Sequence, residues 1–230
     1  MDKRLKGLGV MLAVIGLAFI AGGGFAYFKT NQGAQSLQAF SAAQNVTLSY
    51  NESGQLVDRG ETEGAAAIMS LLINDWGYPV NTSDLNPNDP QVNTASEYMY
   101  QMATVSYHTL HGTATVVLDE DVTAADGTVY TAGTYEFQND GRYWTGFDRS
   151  NPIEAAAREQ IWTPTAHALI GELGVGTVTA SALQIGLGMA ALLAGLGGTL
   201  FLTGLGLVWA TRAATERVQV PAFRPASLTA

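Results

Sequence analysis

Cysteine is absent from all 230 residues, which removes disulfide staples, thiolate metal ligands and thiol nucleophiles. Positive charge is scarce in the middle of the chain. Residues 30–183 hold four bases, Arg59, Arg142, Arg149 and Arg158, against eighteen acids, a net of −14. The whole chain carries −9, with a pI near 4.6. Recognition of a phosphate backbone needs local positive charge, so the balance argues against a nucleic-acid partner. Charge of either sign is missing from two long runs, residues 7–28 and 185–210. Also missing is any nucleophile elbow that would gather Ser, His and Asp into one catalytic constellation.

The two uncharged runs dominate what is present. GLGVMLAVIGLAFIAGGGFAYF covers 22 residues and IGLGMAALLAGLGGTLFLTGLGLVWA covers 26. A helix of about 20 apolar residues spans a bilayer core, so each run predicts a transmembrane helix. A basic start followed by an apolar run also opens a signal peptide, but this run is long and lacks a clear cleavage site. Lys3, Arg4 and Lys6 precede the first run, and Arg212 and Arg217 follow the second, beside Trp209. The basic flanks predict that both termini are cytoplasmic and that the acidic middle lies outside the cytoplasm, with Lys29 on the minority side. The low-lysine, Ala- and Gly-rich chain is compatible with a bacterial plasma membrane.

The expected division is a cytoplasmic N-terminus at 1–6, helix 7–28, a linker or frayed helix extension at 29–42 and a domain at 43–164. A juxtamembrane or interfacial helix at 165–184, a second span at 185–210 and a cytoplasmic tail at 211–230 complete it. Residues 165–184 contain Glu172, which is costly to place in hydrocarbon. The spans are rich in small residues that let helix backbones approach closely. Gly22, Gly23 and Gly24 in the first, and Ala190, Ala191, Ala194, Gly195 and Gly198 in the second, are the candidate packing positions.

The middle reads as a small α+β domain of two or three helices with an antiparallel meander. VTLSY and GQLVD predict short strands around the Asn51–Gly54 turn. Residues 62–76 carry Ala66, Met69, Leu72 and Ile73 at helical spacing. Thr94 and Glu97 have capping-box spacing at the head of a helix running to about His108. TATVVL, VYTAG, TYEFQ and RYWTGF predict strands separated by turns that include Asp126-Gly127 and Asp140-Gly141. Residues 153–161 predict a further short helix, after which Pro164 interrupts the approach to the second span.

Ligand chemistry has few candidates. His108 and His111 would be neighbours on a helix, but no zincin Glu accompanies them. Asp84, Asn86 and Asn88 imitate the first positions of a calcium loop, yet Asp89 stands where Gly is needed and Ala95 where Glu is needed. These five residues are the candidates for a divalent cation, and no cofactor is otherwise predicted. Tyr143, Trp144, Asp148 and Arg149 form a candidate partner surface. The expectation is a noncatalytic membrane-anchored accessory or scaffold subunit whose acidic outer domain contacts another membrane protein subunit, or a second copy of itself. The alternative is a membrane receptor that senses a solute or cation through that domain.

Overall fold

The computed structural model describes residues 2–217; Met1 and residues 218–230, most of the expected tail, lie outside the described residues. Five α-helices dominate: α1 (Asp2–Gln44), α2 (Thr62–Ser70), α3 (Ala95–Leu110), α4 (Pro152–Ile161) and α5 (Pro164–Arg217). Four short strands lie between α3 and α4: β1 (Thr113–Leu118), β2 (Val122–Thr123), β3 (Val129–Tyr130) and β4 (Gly133–Gln138). The chain forms two compact units. One comprises the chain up to Gln35 and from Leu183 onward; the other is Ser36–Ala182.

Helices α1 and α5 contain 43 and 54 residues, at least twice the roughly 20 that a bilayer core requires. Both have stretches long and apolar enough to cross a membrane, with mean hydropathy 2.2 and 1.9. Val14, Leu17, Phe25, Leu192, Leu202 and Trp209 are all exposed, so neither apolar stretch is covered by the rest of the chain. The segment at 29–42, expected as a linker or frayed extension, continues α1 without interruption to Gln44. Residues 165–184 likewise belong to one helix with the second span. Pro164 starts that helix rather than breaking it: proline fits the first helical position, and Thr163 Oγ1 accepts the Ala166 amide at 3.1 Å.

The Ser36–Ala182 unit is organised about α3. One apolar cluster joins Leu48, Ile68, Leu72, Val92, Tyr98 and Ala103 with Leu173 of α5. The other joins Leu110, Ala114, Val116, Phe147, Ala157 and Trp162. Tyr98 ties α3 to both long helices. Its hydroxyl lies 2.8 Å from buried Ser41 Oγ of α1. Its ring fills the space a side chain at Gly176 of α5 would need, since a β-carbon there would lie 2.5 Å from the ring.

Both ends of α3 are closed by side chains. At the start, Thr94 Oγ1 accepts the Glu97 amide at 3.3 Å. Glu97, 1% exposed, accepts from the amides of Asn93 and Thr94 and from the Thr94 hydroxyl at 3.0, 2.9 and 2.8 Å. At the far end, fully buried Asn139 donates Nδ2–H to the Thr109 carbonyl at 2.8 Å, and the amides of Asn139 and Gly141 reach the carbonyls of Gly112 and Leu110. This second cap explains why no strand follows β4 among the described residues. Asp140 and Gly141, at φ 49° and 78°, turn the chain across the end of α3, and Trp144–Gly146 forms a 3₁₀ turn where RYWTGF predicts a strand.

The expected meander is therefore replaced by two separate two-stranded sheets. β1 pairs antiparallel with β4, and β2 with β3 nearer the tip. Residues 47–61 are held by isolated bridges, Tyr50 with Leu56 and Asp58 with Glu61, rather than by continuous strands. Helix α2 ends early because Leu71–Asp75 widens into a π turn, closed by the Trp76 amide on the Leu71 carbonyl at 3.0 Å.

Glu97→Ala leaves three donors without their acceptor and is expected to lower stability by about 3 kcal/mol in thermal or denaturant unfolding. Burial, outweighing those three donors, raises the Glu97 pKa above the usual carboxylate value. The folded chain then holds that proton more tightly than the unfolded chain, so stability falls as pH rises from the ordinary carboxylate range through the raised value. Glu97→Gln, which retains the reach of the cap, should flatten this part of the stability–pH profile.

Candidate functional site

The unit formed by the two chain ends is a pair of antiparallel helices whose backbones touch. A β-carbon on Gly9 would lie 2.7 Å from the Gly204 carbonyl oxygen; on Gly16, 2.6 Å from that of Gly197; on Gly23, 2.9 Å from that of Ala190. These positions recur every seven residues along α1, and their partners every seven along α5, the period of a left-handed helix pair. Thr30 continues the seam, its hydroxyl standing where Gly186 would carry a side chain. Lipid tails are as apolar as leucine, so helices in lipid associate through close packing rather than through water exclusion. Each glycine turns a Cα–H toward a carbonyl, a contact worth roughly 0.5–1 kcal/mol.

Of the small residues singled out in the sequence, Gly23, Ala190 and Ala194 lie on this seam. Gly22, Gly24, Gly195 and Gly198 have no atom within 4 Å of an added β-carbon. Ala191 and Gly24 border a shallow apolar pocket of about 420 Å³ with Ile20, Tyr27 and Leu187. Sequence reasoning missed Gly9, Gly16, Gly197 and Gly204. Their signal was the seven-residue recurrence, which is diluted by other glycines in the same runs.

In the domain, the two histidines have separate partners. His108 Nε2 lies 2.9 Å from Asp58 Oδ1, and His111 Nδ1 lies 2.8 Å from the Tyr107 carbonyl. The latter bond places the proton on Nδ1 of neutral His111 and leaves Nε2 with the lone pair. No group of three or more metal-ligand side chains assembles among the described residues. Asp84, Asn86 and Asn88 are engaged locally: Asp84 accepts Asn81 Nδ2–H at 2.8 Å, and Asn86 Oδ1 accepts the Asn88 amide at 3.0 Å. The Asn86–Asn88 contact is an Asx turn.

Tyr143 and Trp144 belong to an aromatic cluster. Trp76 Nε1–H donates to the Tyr143 hydroxyl at 2.9 Å, and Tyr143 stacks on Trp162 with centroids 5.9 Å apart. The Arg158 guanidinium lies 3.8 Å from the centre of the Trp144 ring, and His167 meets that ring edge-on. Asp148 faces Ser150 instead, accepting its hydroxyl and amide at 2.6 and 2.9 Å. Those two bonds, the hydroxyl first, hold the Asp148 pKa below its usual value, so its contribution is lost as pH falls. Arg149 is exposed beside it.

An open groove of about 530 Å³ lies where the Asp58–Glu61 turn meets the end of α3, lined by Asp58, Arg59, Glu61, Tyr107, His108 and His111. A second, of about 460 Å³, shares His108, Gly112 and Thr113 with it and has Val105, Ile161 and Leu169 as apolar walls. The sequence reading singled out His108 and His111 here but not Asp58, Arg59 or Glu61. Their proximity to α3 depends on chain folding across about fifty positions, which local spacing does not encode.

Gly16→Leu is expected to separate the two helices, because the obstructing atoms are backbone: the Phe201 amide nitrogen at 2.5 Å and the Gly197 carbonyl. Thermal unfolding in detergent should shift well downward for this variant and little for Gly195→Leu, where the space is open. Comparison with family models, with curated proteins and with solved structures finds no match.

Proposed function

We propose that the chain is a noncatalytic, membrane-anchored accessory subunit of a larger membrane assembly. The two long helices cross the plasma membrane as a hairpin, with both termini in the cytoplasm and the acidic domain outside. The observation that supports this reading most is the backbone-to-backbone seam. Seven-residue repetition of small residues on both helices makes the hairpin a self-contained anchor. The glycines left open, Gly22, Gly24, Gly195 and Gly198, offer further close-approach positions on the same helices. The net −14 of residues 30–183 favours a partner with a basic outer surface.

Native mass spectrometry of the full chain, extracted gently from its source membrane, tests the reading. The expected result is a stoichiometric complex with a different protein. Gly195→Leu combined with Gly198→Leu should release that partner without unfolding the hairpin, and raised salt should weaken the contact made by the domain. Recovery of the chain only as a monomer or homo-oligomer overturns the proposal.

A further inference from the structure

The groove beside α3 contains one residue whose placement turn chemistry does not explain. Asp58 and Glu61 exchange backbone hydrogen bonds at 2.9 Å across a two-residue turn of Arg59 and Gly60, both at positive φ, 51° and 91°. Such turns favour Asn, Asp or Gly at the first central position, where a left-handed backbone is least strained. Arg59 occupies it instead. Its guanidinium has no ion-pair or hydrogen-bond partner among the described residues, although acids stand on both sides. Asp58 is already committed to His108 at 2.9 Å. Glu61 engages only through its backbone. The groove thus carries one cation and one carboxylate, both solvent-exposed and without a side-chain partner among the described residues.

A ligand that satisfied both would carry opposite charges a few bonds apart. The adjoining compartment, bounded by Val105, Ile161 and Leu169, offers apolar walls next to that polar end. Together the two volumes suit a small molecule rather than a macromolecule. We infer that this groove binds a zwitterionic α-amino acid with an aliphatic side chain. Arg59 takes its carboxylate through paired N–H donors, Glu61 takes its ammonium, and the side chain lies against Leu169 and Ile161. Binding of this kind by the chain alone neither requires nor excludes a partner subunit, so its failure leaves the accessory-subunit reading standing, and the reverse also holds.

The experiment is calorimetric titration of the full chain in detergent with L-leucine, leucinamide and N-acetyl-leucine. Leucine should bind saturably. Leucinamide lacks the carboxylate charge and N-acetyl-leucine lacks the ammonium, so each should bind at least about tenfold more weakly. Arg59→Asn supplies the residue the turn prefers and removes the cation. It should unfold at an equal or higher temperature while losing at least about tenfold in leucine affinity. This pairing separates loss of binding from loss of fold. No saturable binding by about 10 mM leucine, equal binding of the two derivatives, or unchanged affinity in Arg59→Asn would each overturn the assignment.

Discussion

The contact of two helix backbones, possible only where side chains are absent, constrains the unit formed by the chain ends. Exposed apolar residues surround both helices, so hydrophobicity supplies no face that would choose one rotation or register over another. The seam supplies it. Gly9 with Gly204 and Gly16 with Gly197 are reciprocal: each member occupies the space the other leaves by lacking a β-carbon. Rotating either helix would bring a leucine or phenylalanine against backbone and forfeit the Cα–H contacts along the whole seven-residue repeat. Register is therefore set by exclusion.

The same device recurs once in the domain, with an aromatic ring instead of a backbone as the intruding group. Gly176 on α5 gives way to Tyr98, and Tyr98 reaches Ser41 on α1. Helix α3 is thereby fixed between the outer turns of the two long helices. Its caps carry that fixation outward. The Thr94–Glu97 box sets where the helix begins, while Asn139 and Gly141 set where it ends and where the chain turns next. The aromatic cluster around Trp144 and the groove around His108 both flank the capped C-terminal end.

Legibility in the sequence follows the range of the interaction. The capping box spans three residues and is readable as text, as are the Asp126-Gly127 and Asp140-Gly141 turns, with Gly127 and Gly141 both at positive φ. The apolar runs predict helices long enough to span a membrane, and such helices are present. What failed depended on distant partners. RYWTGF has strand composition, but Asn139 and Gly141 spend their donors on the end of α3, and the chain leaves the ribbon. The consecutive glycines Gly22, Gly23 and Gly24 draw attention by clustering, yet consecutive residues point in different directions around a helix, so only Gly23 meets α5. Spacing of seven was the informative signal.

Charge placement gives the domain's polar chemistry a definite character. Most of its acids are solvated or held by local donors, as Asp126 is by Thr128 and Asp148 by Ser150, and those bonds lower their pKa values without linking distant parts of the chain. Two acids do more. Glu97 is buried against its own helix start, and Asp58 bridges to His108 across fifty positions. The four bases of the span divide similarly. Arg142 pairs with Glu154, and Arg158 is stacked on Trp144 beside Glu159. Arg149 stands exposed in a bend, where solvent and mobile counter-ions satisfy it at little cost. Arg59 differs because its backbone is held in a left-handed conformation at the mouth of a groove. Arg59 is solvent-exposed like Arg149, so what sets it apart from the other three bases is the left-handed backbone at a non-glycine position rather than an unmet charge.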